Sequence, residues 1–262
     1  NINWRMNLVT SVFNQSMVKK ESMNDAKKIA LVTGAAGTIG QAICRRLMKD
    51  GIELIGIDVD TRGLSELENL VDIKTICMDL ENVDVLPSLL DEIGAVDIVI
   101  NNAGVLQGEK IIDQSVSDWD RIFRVNLDSA LIILKAFLPG MVDRKWGRVI
   151  NMSSYAAKCG GLTAGVAYTT SKSAMIGLTF SVARDFAGHG VTANAIAPAY
   201  VMSPMVSEQL SLEERNNQLK AIPVGRFCQP EEVAHTVAFL ASPLAGFITG
   251  EVIDMNGGLQ FD

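Results

Sequence analysis

Histidine is almost missing from this chain: His189 and His235 are its only two, and neither stands beside a cysteine. The four cysteines, Cys44, Cys77, Cys159 and Cys228, are scattered and form no CxxC pair, so no metal site is expected. They read as reduced structural thiols of a cytoplasmic protein. Basic runs are lacking as well. The formal net charge is −7, and phosphate backbones are held by clustered Lys and Arg, which sets nucleic acid aside as a partner. No uninterrupted apolar stretch approaches the roughly 20 residues of a spanning helix. The nearest, Ser129 to Val142, is short and holds Lys135 and Pro139, so it reads as a buried helix and no membrane is expected.

What is present suits a globular α/β protein. Apolar residues make up 48% of the 262, enough for a substantial core in one domain. Residues 1–27 lack a strong period and read as a leader or non-native addition outside the fold. Arg5, Lys19 and Lys20 precede the first acid, Glu21, which leaves a mitochondrial presequence as the alternative. From Lys28 onward the pattern is regular. Short β-rich apolar runs fall at 29–33, 53–57, 73–77, 96–100, 148–152, 191–196 and 250–254. Helix-period segments separate them, at 39–49, 119–142, 169–187 and 230–241 among others. That alternation predicts one doubly wound, Rossmann-like domain over 28–262, with a seven-stranded parallel sheet and helices on both faces. Its ligand crevice belongs at the carboxyl ends of the strands.

The first run leads into Gly34-Ala-Ala-Gly37-Thr38-Ile39-Gly40 and then a helix. Glycines in that context let the backbone turn sharply and bring a pyrophosphate to a helix N-terminus. Asp58 ends the second run. A carboxylate there accepts from both hydroxyls of an adenosine ribose and repels a 2′-phosphate, and the glycine turn holds no Arg or Lys. NAD is therefore expected over NADP. The bland alternative is an aspartate that caps a turn with Asp60 and Arg62.

Tyr168-Thr-Thr-Ser-Lys172 opens a helix, and the i,i+4 spacing puts phenol and ammonium on one face. A free phenol titrates near 10 and is a poor base at neutral pH; a neighbouring ammonium favours the phenolate. The expectation is a group that takes a proton from an alcohol or returns one. Alone, such a pair is usually a surface feature, and its meaning comes from what surrounds it.

From about Lys28 to the C-terminus the chain resembles the short-chain dehydrogenase/reductase family. Asp79-Leu80 follows the third strand, where the resemblance implies contact with adenine. Asn101-Asn102-Ala103-Gly104 matches the motif that steadies the sheet and lines the cofactor. Asn126 matches the asparagine that holds a relay water, and Ser154 the serine that binds the substrate oxygen. Tyr168 and Lys172 match the YxxxK pair, with Lys172 also on the nicotinamide ribose, while Pro198 and Ser203 fall in the stretch that holds the carboxamide.

Three positions depart from the family pattern. Thr38 replaces the second glycine, Ala199 replaces the glycine after Pro198, and the Ser154–Tyr168 loop is one residue longer, with Gly160, Gly161 and Gly165 in it. Cys159 lies in that loop, near the expected substrate pocket. The segment 199–228 is expected to form a substrate lid, with a helix over Pro204 to Lys220 and with Tyr200, Met202 and Met205 either lining an apolar pocket or filling the lid's core.

The resemblance implies an NAD(H)-dependent oxidoreductase interconverting a secondary alcohol and a ketone, assembled as a homotetramer or homodimer. Candidate substrates are polyols, sugar acids, hydroxy acids and 3-oxoacyl compounds, with Asp58 tilting the reading towards polyols and hydroxy acids. An NADP(H)-dependent 3-oxoacyl thioester reductase is the alternative. A regulator that binds NAD(H) without turnover is the competing class, and the presence of all four catalytic residues argues against it.

Overall fold

Strands with apolar residues on both faces need cover on both sides, and this chain supplies it. In the computed structural model, which describes residues 27–203 and 212–261, seven strands form one sheet. They are β1 (Ile29–Thr33), β2 (Glu53–Asp58), β3 (Lys74–Cys77), β4 (Ile98–Asn101), β5 (Gly147–Met152), β6 (Val191–Pro198) and β7 (Val252–Met255). The order is β3-β2-β1-β4-β5-β6-β7, with every neighbouring pair parallel. The chain winds outward in one direction from β1 and in the other from β4, so a crevice opens between the ends of these two strands. The doubly wound α/β class expected from the sequence is the one observed.

The helices are α1 (Thr38–Lys49), α2 (Thr61–Glu68), α3 (Leu86–Leu90), α4 (Val116–Phe123), α5 (Ser129–Asp143), α6 (Ala156–Cys159), α7 (Val166–Phe186), α8 (Leu212–Ala221) and α9 (Pro230–Ala241). Alternate strand residues divide the core between the two faces. Ala30, Val32, Ile98 and Ile100 pack with Ile43 and Leu47 of α1 and Val233 and Val237 of α9. Leu31, Val99 and Val149 pack with Leu86 of α3, Ile133 and Phe137 of α5 and Val182 of α7. A row of polar side chains crosses the interior as well. Asn101 donates to Asn151 at 2.8 Å, Asn151 donates to Thr179 of α7 at 2.9 Å, and Thr179 donates to the Met175 carbonyl at 2.8 Å.

Three differences from the sequence reading have physical causes. The short helices α2, α3 and α6 lie outside the segments named from the sequence; α2 has a capping signal in Asp60, whose Oδ1 accepts from the N–H groups of Arg62 and Gly63. The helix expected over 119–142 runs from Val116 to Asp143, with a wide π-helical turn at Arg124–Asp128. At 28 residues it is long and apolar enough to cross a bilayer, which the shorter sequence run did not indicate. In this fold Ile133, Leu134, Phe137, Leu138 and Met141 of that helix are buried in the core. Of the lid helix expected over Pro204 to Lys220, α8 supplies Leu212–Ala221, and Pro204 and Met205 lie outside the described residues, as do residues 1–26 of the expected leader.

Candidate active site

The glycine turn between β1 and α1 is shaped by what side chains would hit. Gly34 has φ +64°, and a Cβ there would lie 2.9 Å from Ala103 Cα. A Cβ on Gly40 would lie 2.0 Å from the Gly34 carbonyl oxygen. Gly37 differs: its Cβ would come no nearer than 3.4 Å to that oxygen, so its outer side is open to a ligand. Gly37 is also the N-cap of α1, and no side chain caps the helix. The N–H groups of its first turn, which starts at Thr38 and Ile39, are thereby left to an anion.

Asp58 sits at the end of β2 beside this turn. Its Oδ2 accepts from Ala36 N at 2.9 Å and its Oδ1 from Asp60 N at 3.0 Å. The turn-capping alternative is therefore realised, and each oxygen retains a second lone pair for a ribose hydroxyl. Arg62, the nearest cation in sequence, is paired with Glu66 at 3.0 Å on the exposed face of α2. Asp79 is exposed and accepts from Glu81 N at 2.9 Å. Leu80 is buried among the core residues under α3, so only its backbone is left for an adenine contact.

The two strands flanking the crevice are tied together at their ends. Asn102 donates through Nδ2 to the carbonyls of Thr33 and Gly34, while Asn102 N and Ala103 N both donate to the Thr33 hydroxyl at 3.0 Å. Gly104 keeps the next step bare: a Cβ there would meet Lys172 Nζ at 3.2 Å and Asn126 Oδ1 at 3.4 Å. A bare turn, an uncapped helix end and a carboxylate at the tip of β2 fit a dinucleotide.

At the other end of the crevice α7 packs against β5 and β6 and brings Tyr168 and Lys172 to Ser154, which follows β5. Tyr168 and Ser154 both line the cleft, near enough for the serine hydroxyl to bear on the phenol. Burial pushes the phenol of Tyr168 above its ordinary value, and the Ser154 hydrogen bond pulls the other way. The expected lowering by Lys172 is not found: Nζ stands 5.8 Å from the ring centroid and donates at 2.7 Å to the Met152 carbonyl instead. Lys172 is itself buried, which brings its ammonium down to about 8.

Asn126 is 1% exposed, carried inward by the wide turn between α4 and α5. It grips the backbone of Val105 and donates to the Ser171 hydroxyl at 3.1 Å. Asn126, Ser154, Tyr168 and Lys172 therefore converge as the sequence implies.

Ser154, Tyr168 and Lys172 border a cleft of about 470 Å³ that Ile39, Asn102, Gly104, Pro198 and Ser203 also line, while Asn126 lies buried behind Gly104 and outside the lining. Its remaining wall is largely apolar and was not singled out in the sequence: Leu106, Tyr155, Leu162, Ala164 and Val201. Leu106 stands two residues past the Asn-Asn-Ala-Gly motif, and Leu162 and Ala164 sit in the glycine-rich loop, which is the one local signal they had. Among the described residues Lys172 is the only charged side chain in the lining. Tyr200 lines the cleft and meets Phe227 edge-on at 6.2 Å. Met202 is not part of the lining; its N–H bonds the Cys228 carbonyl at 2.8 Å, closing the two ends of the lid segment on each other. Cys159 lines the cleft, whereas burial raises the thiol of Cys44 to about 12 and that of Cys228 to about 11.

Residues 34–260 match the family described as enoyl-(acyl carrier protein) reductase. The chain is 38% identical over 244 residues to the 3-oxoacyl-[acyl-carrier-protein] reductase FabG of Vibrio cholerae, a match spanning 90% of this chain and 99% of that protein. It is 38% identical over 239 residues to dehydrogenase/reductase SDR family member 6 of Aquarana catesbeiana, spanning 89% and 97%. Among solved structures, the 3-oxoacyl-[acyl-carrier protein] reductase of Brucella melitensis superposes with a TM-score of 0.83 at 31% identity, over 90% of this chain and 92% of that one. A putative NAD(P)-dependent gluconate 5-dehydrogenase of Beutenbergia cavernae, with NADP bound at low occupancy, gives 0.83 at 30% identity over 89% and 97%.

Sheet, cleft and relatives define an oxidoreductase that acts on CH–OH groups with a nicotinamide dinucleotide. Within that class the chain belongs to the short-chain dehydrogenase/reductase family.

Proposed function

We propose that this enzyme interconverts a secondary alcohol and a ketone with NAD(H), Tyr168 moving the proton. The observation that carries the reading is the half-buried pair of Ser154 and Tyr168, set beside the buried Lys172 in one cleft wall. The glycine turn and Asp58 would hold the pyrophosphate and adenosine of a dinucleotide, and the Asn102–Gly104 segment, Lys172, Pro198 and Ser203 its nicotinamide end, which would supply the hydride acceptor or donor. The chain does the rest. Ser154 and Tyr168 hold the substrate oxygen, Tyr168 takes its proton or returns one, and Lys172 with Asn126 connects the phenol to solvent. Because burial alone raises the phenol, the cationic charge of the oxidised cofactor is what favours the phenolate in the alcohol-oxidising direction.

Asp58 supports NAD over NADP, and Arg62, the nearest cation in sequence, is paired with Glu66. The uncharged wall supports a substrate whose non-reacting part is apolar. That favours a 3-oxoacyl compound over the sugar acids and hydroxy acids of the sequence reading, whose carboxylate would meet no cation among the described lining residues other than Lys172, already bonded to the Met152 carbonyl. Leu131 on α5 and Phe180 on α7, with Phe239, Leu244 and Phe247 near the C-terminal strand, are exposed and support assembly as a homotetramer.

The test follows nicotinamide absorbance as the enzyme meets 3-oxoacyl esters, polyols, sugar acids and hydroxy acids, each with NAD(H) and NADP(H). Turnover of 3-oxoacyl esters with NADH, lost in Tyr168→Phe, is the expected result. Activity confined to sugar acids would overturn the substrate reading, and a preference for NADPH would overturn that of Asp58.

A further inference from the structure

The glycine-rich loop between Ser154 and Tyr168 has an anchor that nothing in the family pattern assigns. Lys110 is an exposed residue, yet its ammonium ends on the backbone of that loop. It donates to the Ala164 carbonyl at 2.7 Å, to that of Gly161 at 3.0 Å and to that of Leu162 at a longer 3.4 Å. An ammonium carries three N–H groups, and three carbonyl oxygens meet it. Without the cation those oxygens would turn their partial negative charges on one another.

The same joint is closed by backbone bonds in the opposite sense. Gly165 N donates to the Gln107 carbonyl at 2.7 Å and Val166 N to the Glu109 carbonyl at 3.0 Å. The approach is close enough that a Cβ on Gly165 would lie 2.6 Å from the Glu109 oxygen. Gly160 and Gly161, with φ of +78° and +76°, let the loop double back to reach it. The two segments so joined each contribute to the cleft wall: Leu106 from one, Leu162 and Ala164 from the other.

We propose that Lys110 is a positioning residue that sets the substrate-side wall of the cleft. By holding Leu162 and Ala164 opposite Leu106, it governs binding of the part of the substrate beyond the reacting carbon. It does not enter the proton transfer, because its ammonium ends on the loop carbonyls, whereas Tyr168 lies in the first turn of α7, a helix packed on β5 and β6. The proposal rests on the reading of this cleft as a substrate site.

Lys110→Met keeps length and removes the charge. With NADH and a pair of 3-oxo esters, ethyl 3-oxobutanoate and ethyl 3-oxohexanoate, KM for the longer ester should rise about tenfold while kcat stays within about twofold. The shorter ester should change little, NADH affinity should not change, and Lys110→Arg should recover most of the loss. Amide hydrogen exchange over 160–166 in the enzyme without substrate should quicken in Lys110→Met and not in Lys110→Arg. Unchanged exchange and unchanged KM would overturn the proposal. So would an equal fall in kcat for both esters, or a loss of thermal stability with no separation of KM from kcat. If the unaltered enzyme turns over neither ester, the substrate reading fails, and the exchange measurement still decides whether Lys110 holds the loop.

Discussion

Asn126 satisfies both backbone polar groups of Val105: its Oδ1 accepts from the N–H at 2.8 Å and its Nδ2 donates to the carbonyl at 3.1 Å. One amide thereby fixes the chain just beyond Gly104, where the cleft is bare. Asn126→Ala would leave those two groups without their side-chain partner in a part-buried site, a loss of about 2–4 kcal/mol. Urea unfolding of the variant beside the unaltered protein measures it, and an effect under about 0.5 kcal/mol would mean that water replaces the amide freely.

Removing the hydroxyl of Tyr168 should separate chemistry from binding. In Tyr168→Phe kcat is expected to fall by roughly 10²–10⁴, the usual worth of a positioned acid or base. NADH titrated by fluorescence should bind as before, since the glycine turn and Asp58 are untouched. Turnover within a few-fold of the unaltered enzyme would remove Tyr168 from the proton path.

Asp58→Ala removes the carboxylate at the tip of β2 and the acceptor for Ala36 N. The ratio of kcat/KM for NADH to that for NADPH should drop by about tenfold or more, the equivalent of one like-charge contact of roughly 1.4 kcal/mol. Paired initial-rate measurements read it directly. An unaltered ratio would confine Asp58 to its turn-capping bonds.

Lys172 makes stability depend on pH in a particular window. Burial lowers its ammonium from 10.5 to about 8, so between those values the unfolded chain holds a proton that the folded protein lacks. Stability therefore rises with pH across that window and is level in this respect below about 8, where both states are protonated. Relative to Lys172→Met, the unaltered protein should gain roughly 3 kcal/mol over the window. Unfolding curves for both proteins at pH 7.5 and 10 test the sign, and parallel curves would mean that the ammonium keeps its charge when buried.

The strands were legible because a sheet covered on both faces writes itself as short apolar runs; β1 occupies the expected 29–33, and the other six lie within a few residues of their expected bounds. The glycine turn and the Tyr168–Lys172 pair were legible because chemistry fixes residue types at fixed spacing along one stretch of chain. The cleft wall was not. Lys110 joins the segment that carries Leu106 to the loop that carries Leu162, some 50 residues further on, and an exposed lysine in sequence carries no sign of the carbonyls it will meet. The balance at Tyr168 was hidden for a related reason: the expected help from Lys172 follows from spacing, whereas the larger effect of burial depends on everything packed around the ring. Asp58 was read correctly in place, but its bonds to Ala36 and Asp60 depend on a turn whose shape only the folded backbone defines.

The row Asn101–Asn151–Thr179 has a polarity of its own. Each member donates toward α7, and the last passes its proton to a carbonyl within that helix, so the direction of every amide is set by its neighbour. No member can turn over alone without placing two donors, or two acceptors, face to face in a dry interior. The three side chains consequently act as one directional clamp, running from β4 through β5 into the helix that bears Tyr168.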